Sequence, residues 1–133
     1  MIVAPHGDDE ILGLGGFIAS KTAEGEHVYV VYAAVGTNPG DTERNREIQR
    51  VSEFLGIQRT KILFQGYDGK LDRLNDIELI SKLDKIIAGY RPDMIFLPYK
   101  SHHQDHVKVH DCGLAACRMN ENYLVPFVAL YEY

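Results

Sequence analysis

Met1-Ile-Val-Ala-Pro-His-Gly-Asp-Asp-Glu10 opens the chain: a short apolar run, then one histidine and three acids packed into six residues. The apolar run, closed by proline, reads as a buried strand. Helical spacing follows at once, with Ile11, Leu14, Ile18 and Ala19 on one face of a helix over 11–24 that Gly25 closes. The same alternation then repeats. Strands are expected at 28–35, 61–65, 94–97 and 127–131. A helix capped by Asp41-Thr42 runs to Leu55, stops at Gly56 and turns Ile48, Val51 and Leu55 inward. Further helices are expected over 77–90, with Ile77, Ile80, Leu83 and Ile87 as the inner stripe, and over 106–118.

The order βαβαβαβαβ predicts an α/β fold, a Rossmann-like three-layer αβα sandwich around a mainly parallel sheet of about five strands in the order 3-2-1-4-5. The nearly continuous apolar strands agree, because parallel strands are buried on both faces. No repeat, low-complexity segment or linker interrupts residues 1–133, which read as a single domain. The last strand runs to Glu132-Tyr133 with nothing after it, so its cover is expected from further chain or from a second copy in a homo-oligomer.

Composition narrows the function classes. Apolar residues make up 45% and charged residues 25%, as in ordinary globular proteins. No apolar run approaches the ~20 residues of a membrane span. A net charge of −5 without a basic cluster argues against nucleic acid, whose backbone is held by clustered Lys and Arg. The first residues lack the basic and apolar regions of a secretory signal, and the cytoplasm is the expected location. Cys112 and Cys117 are too few for a disulfide framework and read as small apolar residues of the last helix.

In the order 3-2-1-4-5, strands one and four are neighbours whose connections leave in opposite directions, which opens a crevice at their carboxyl ends. The two most polar clusters fall there: His6-Gly-Asp-Asp-Glu10 and Ser101-His-His-Gln-Asp-His106. Imidazole with carboxylate suits a borderline divalent cation such as zinc, whose catalytic sites take three protein ligands and leave a position for water. Iron or cobalt would accept the same ligands. Two ligands from the first loop and one from the second would make that open site, with Asp8 or Glu10 left over as a base. A plainer reading competes, since acids in a first helical turn are favoured by the helix dipole whether or not a metal binds. Nucleotide binding by Gly13-Leu-Gly-Gly16 is disfavoured by charge: Asp8, Asp9 and Glu10 occupy the turn where a pyrophosphate would sit. Those glycines are expected instead to bring helix and strand close.

These residues resemble the LmbE-like, or PIG-L, family of zinc-dependent N-acetylglucosaminyl de-N-acetylases. Pro5-His-Gly-Asp-Asp-Glu10 stands where the family has [A/P]-H-P-D-D-E. Gly13-Leu-Gly-Gly16, Arg44-Asn-Arg-Glu47 with Leu55-Gly56, Asp68, Pro92-Asp-Met-Ile95 and His103-Gln-Asp-His106 follow in the family's order. Gly7 departs from the family's proline, and the family's C-terminal portion has no counterpart after Tyr133.

The resemblance implies a zinc hydrolase that removes acetyl from the nitrogen of a small N-acetylglucosamine-type conjugate. It implies His6, Asp9 and His106 as metal ligands and Asp8 as the base that takes a proton from zinc-bound water. His103 becomes a protonated polariser of the developing oxyanion, Asp105 tunes a neighbouring histidine, and Arg44 and Asp68 contact sugar hydroxyls. The alternative is a non-catalytic metal- or sugar-binding module. Taken one by one, the residues leave other readings open. His110 is a rival ligand or a core residue, and His102 differs from His103 by one position. Arg44 could pair with Glu43 or Glu47 on a solvated face, Asp68 could be a turn aspartate, and Glu10 anchors the loop through backbone hydrogen bonds. His27 is expected at the surface.

Overall fold

Strand order brings the two polar loops together. In the computed structural model, which describes residues 1–119 and 123–132, the strands are β1 (Ile2–Ala4), β2 (Tyr29–Val35), β3 (Arg59–Gln65), β4 (Met94–Pro98) and β5 (Phe127–Tyr131). The helices are α1 (Asp9–Ala23), α2 (Glu43–Leu55), α3 (Asp76–Tyr90) and α4 (Gln104–Ala116), with a 3-10 turn at Leu71–Arg73. The five strands pair in parallel in the order β3-β2-β1-β4-β5, as expected. β1 is short yet central, flanked by β2 through Ile2↔Val30 and by β4 through Ile2↔Phe96. The loops after β1 and β4 therefore open side by side.

Successive residues of β1 face opposite layers. Val3 packs with Leu79, Leu83 and Ile87 of α3 and Val109 and Cys112 of α4. Ile2 and Ala4 pack with Ile18 of α1 and Ile48 of α2 on the other face. That makes the three layers, and burying both faces of the sheet supplies most of the driving force. Gly113 lets α4 lie close on β4, since a Cβ there would stand 2.7 Å from Leu97 Cδ2. Gly13 does the same for α1 against β5, where a Cβ would meet the Tyr131 ring at 2.5 Å. Gly16, by contrast, faces open space, so the close-packing role belongs to part of the glycine motif only.

The helix starts differ from the sequence reading in a way that matters for the site. α1 begins at Asp9, not Ile11, and α4 at Gln104, not His106. Apolar periodicity marks the buried stripe of a helix and passes over a polar first turn. Asp9, Glu10, Asp105 and His106 therefore all lie in first turns. The inner faces need two corrections. Ala19 is exposed. Ile77 is 70% exposed while Leu79 is buried, because the stripe through Leu83 and Ile87 continues one turn back at Leu79, leaving Ile77 beside the cap. That cap is Asn75, whose side-chain oxygen accepts the Ile77 N–H at 2.9 Å. At the edge of the sheet, Phe127 and Leu130 of β5 remain exposed. Tyr133 lies outside the described residues. Among the described residues no helix is long and apolar enough to cross a membrane.

Candidate metal centre

The first loop is held in shape before any ligand is considered. The Pro5 carbonyl accepts the Ala34 N–H at 2.9 Å, which extends the β1–β2 register by one residue and delivers His6 to the crevice. The Asp8 carbonyl then accepts the N–H groups of Ile11 and Leu12, starting α1. Asp9 Oδ2 reaches back to the backbone N–H of His6 at 2.9 Å, so its carboxylate turns toward the His6 ring.

Three ligand atoms converge there. His6 Nδ1 lies 3.4 Å from Asp9 Oδ2, and His106 Nε2 lies 3.5 Å from the same oxygen. All three residues offer atoms within 4.8 Å of one another. In a tetrahedral site with zinc–ligand bonds of about 2.05 Å, neighbouring ligand atoms stand about 3.3 Å apart. The observed separations match such edges, and the donor set of two imidazoles and a carboxylate suits a borderline divalent cation. Asp9 and His106 are buried and His6 is nearly so, which keeps these groups out of bulk water.

The next layer orients this set. The Asp105 carboxylate, fully buried, accepts a hydrogen bond from His6 Nε2 at 2.9 Å and the backbone N–H groups of Gly69 and Leu71 at 2.8 and 3.0 Å. It thereby leaves His6 Nδ1 as the nitrogen facing Asp9, the arrangement by which a carboxylate fixes a ligating imidazole. It also ties the loop after β3 to the start of α4. His6, His103 and Asp105 form a second group of convergent donors. Its His6–Asp105 separation of 2.9 Å is a hydrogen bond and too short for a ligand edge, so the first triad is the better cation site.

Charge follows from this geometry. Burial lowers the pKa of His6, but Asp105, Asp9 and Asp68 around it prevail and raise it to about 10. A proton on His6 thus balances the carboxylates when no cation is there. His106 shifts the other way: burial, with the nearby His6 and His103, lowers its pKa against the pull of Asp9, which favours the neutral, ligating form. For Asp105, burial would raise the pKa, but the hydrogen bonds from His6, Leu71 and Gly69 hold it below the usual carboxylate value.

The remaining sequence candidates surround the triad. Asp8 is exposed at the mouth, at the N-terminus of α1. His103, also exposed, caps α4 and its ring stands edge-on to both His6 and His106 at centroid distances of 5.2 Å. His103 Nδ1 accepts the Asp105 N–H at 3.3 Å, which puts the ring proton on Nε2. Asp68 Oδ1, partly exposed, is 3.6 Å from His6 Nε2. Arg44 pairs with Glu47 at 3.0 Å on an exposed helix face, and this partner, together with the fields of Asp8 and Asp68, raises its pKa. His110 Nδ1 bonds the Pro98 carbonyl at 2.8 Å and supports β4. His102 and His27 are exposed.

One buried contact escaped the sequence reading. Glu10, 1% exposed, accepts the Tyr32 hydroxyl at 2.8 Å, while its other carboxylate oxygen has no hydrogen-bond partner among the described residues. A side chain, more than the backbone, therefore anchors Glu10. The signal in sequence was a second tyrosine, Tyr32, in the middle of a strand otherwise made of aliphatic and small residues after Tyr29. Desolvation raises the Glu10 pKa to about 7 despite that bond. A cavity of about 690 Å³ lies at the other end of the sheet, near Phe17, Arg59 and Tyr90, away from these groups.

Residues 1–117 match the PIG-L family, described as GlcNAc-PI de-N-acetylase. The chain belongs to the PIG-L family. Among its PIG-L relatives, the uncharacterized deacetylase YaiS of Escherichia coli is 29% identical over 140 residues, covering 99% of this chain and 72% of that protein. A probable N-acetyl-alpha-D-glucosaminyl L-malate deacetylase 2 of Bacillus cereus is 30% identical over 124 residues, covering 80% of this chain and 54% of that one. The N,N'-diacetylchitobiose deacetylase of Pyrococcus horikoshii shares the fold with a TM-score of 0.83 at 22% identity, over 98% of this chain and 58% of that one. This PIG-L chain thus spans little more than half the length of the Bacillus and Pyrococcus proteins.

Proposed function

We propose that this chain is a metal-dependent hydrolase, with zinc as the preferred ion, that removes the N-acetyl group from an N-acetylglucosamine-type conjugate. The observation that carries the reading is the convergence of His6 Nδ1, Asp9 Oδ2 and His106 Nε2 at tetrahedral-edge separations, with Asp8 and His103 exposed beside them. The family supports it, as do relatives whose names describe deacetylases of amino-sugar conjugates.

His6, Asp9 and His106 would hold the cation, which when bound supplies a Lewis acid that acidifies water and polarises an amide carbonyl. Asp8 is the base that removes the proton from the attacking water and can return it to the departing amine. His103 carries its proton on Nε2 and donates from there to the carbonyl oxygen as negative charge develops on it. Asp105 keeps His6 in the tautomer whose Nδ1 faces the cation. Arg44, on the rim, offers its donors to sugar hydroxyls, and Asp68 accepts from them or from His6.

The test is a metal-quantified screen for acetate release over N-acetylglucosamine conjugates, with wild type and His106→Ala side by side. About one zinc per wild-type chain with acetate release, both lost in the variant, supports the proposal; acetate release by a metal-free variant would sink it. A second reading rests on Leu124, Phe127 and Leu130, exposed in and beside the edge strand β5. It is a module that holds metal or sugar while its crevice is completed elsewhere. Zinc binding without turnover on any conjugate would support that one.

A further inference from the structure

We infer that Ile48 of α2 is a positioning residue for the metal loop, and that residue 7 is glycine because the Ile48 side chain occupies the space a Cβ would take. The inference rests on the metal-centre reading above. Backbone conformation does not call for glycine here: the positive-φ glycines among the described residues are Gly25, Gly36, Gly56, Gly66 and Gly69. Space does. A Cβ on Gly7 would stand 2.9 Å from Ile48 Cδ1 and 3.2 Å from Cγ1, both closer than side chains normally approach.

Ile48 is 4% exposed and packs in the layer that holds Ile2, Ala4 and Ile18. The end of its side chain rests against the backbone between the ligand His6 and the exposed Asp8. Arg44 lies one turn before Ile48 on the same helix face, and its guanidinium feels the charges of Asp8 and Asp68. The Gly7–Ile48 contact therefore sets two things together: the path of the loop between His6 and Asp8, and how far the Arg44 rim stands from that loop. A glycine between two site residues would otherwise be a source of slack. Ile48 takes up that slack from a neighbouring helix.

A methyl swap tests this. Gly7→Ala adds a Cβ, and Ile48→Val removes Cδ1, the atom that Cβ would strike. Zinc affinity is read by competition with a chromophoric chelator on metal-stripped protein, and stability by urea denaturation. Gly7→Ala should weaken zinc binding about tenfold or more, the range seen when the support of a ligand shell is disturbed. Ile48→Val alone should lower stability and weaken zinc binding about threefold, because the loop then regains the slack that Cδ1 takes up. The double variant should return to within about threefold of wild-type affinity, so that the two changes are not additive. Wild-type affinity in Gly7→Ala, or a double variant no better than Gly7→Ala, overturns the inference. If Gly7→Ala does not fold, folding of the double variant supports it and failure of both overturns it. A wild type that binds no zinc fails in a different place, at the metal centre itself, and takes the positioning role with it.

Discussion

Asp105→Asn is nearly isosteric, yet it should disturb this protein more than its size suggests. The carboxylate accepts three hydrogen bonds in a fully buried position, from His6 Nε2, Gly69 N and Leu71 N. An amide has one accepting oxygen. Placed at Oδ2 it keeps His6 and Gly69, but its NH2 then faces the Leu71 N–H, and a buried donor without an acceptor costs about 1–3 kcal/mol. The two bonds that survive lose their charge-assisted character, roughly halving them. A total loss of about 3 kcal/mol is expected. For 133 residues the unfolding entropy is about 0.28 kcal/mol per kelvin, so Tm should fall by about 10 °C. Zinc affinity should drop about 10- to 100-fold, because His6 is no longer fixed with Nδ1 toward Asp9. Urea denaturation of metal-free protein gives the first number and chelator competition the second. A variant within about 0.5 kcal/mol of wild type and of unchanged zinc affinity would refute the assignment of Asp105 as the anchor of His6.

Two further outcomes follow from the geometry. Asp8→Asn should lower acetate release by about 10²- to 10⁴-fold while zinc stoichiometry, measured by elemental analysis, stays at the wild-type level; retained turnover would remove Asp8 from the role of base. The Glu10 pKa rises from 4.5 to about 7, so its neutral form is the stabilising one: that contribution is whole below about pH 4.5 and is lost as pH climbs through 7. Glu10→Gln stays neutral throughout, so in excess chelator it should match wild type near pH 4.5 and exceed it by up to about 3 kcal/mol at pH 8 in urea titrations. A stability gap that does not change with pH would contradict the assigned shift.

Much of this was legible in the chain alone. The alternation of apolar runs with helical stripes and the punctuation at Gly25, Gly56 and Pro98 were enough to order the sheet, because right-handed crossovers leave few alternatives. That order in turn placed His6-Gly-Asp-Asp-Glu10 beside His103-Gln-Asp-His106. The composition of those loops made them candidates for a divalent cation, since imidazole with carboxylate suits such an ion. What the chain could not reveal was direction. Which nitrogen of His6 faces Asp9 depends on Asp105, ninety-nine residues away, accepting from the other one. Which proton His103 carries depends on the first turn of α4, two residues earlier than periodicity placed it. Glycine at position 7 has its reason in Ile48, on a helix that touches the loop only in three dimensions. Sequence pattern determines which groups meet, because it follows the period of the backbone. Only packing determines the ångström-scale orientation on which ligation and proton transfer depend, because that is settled by contacts between residues far apart in the chain.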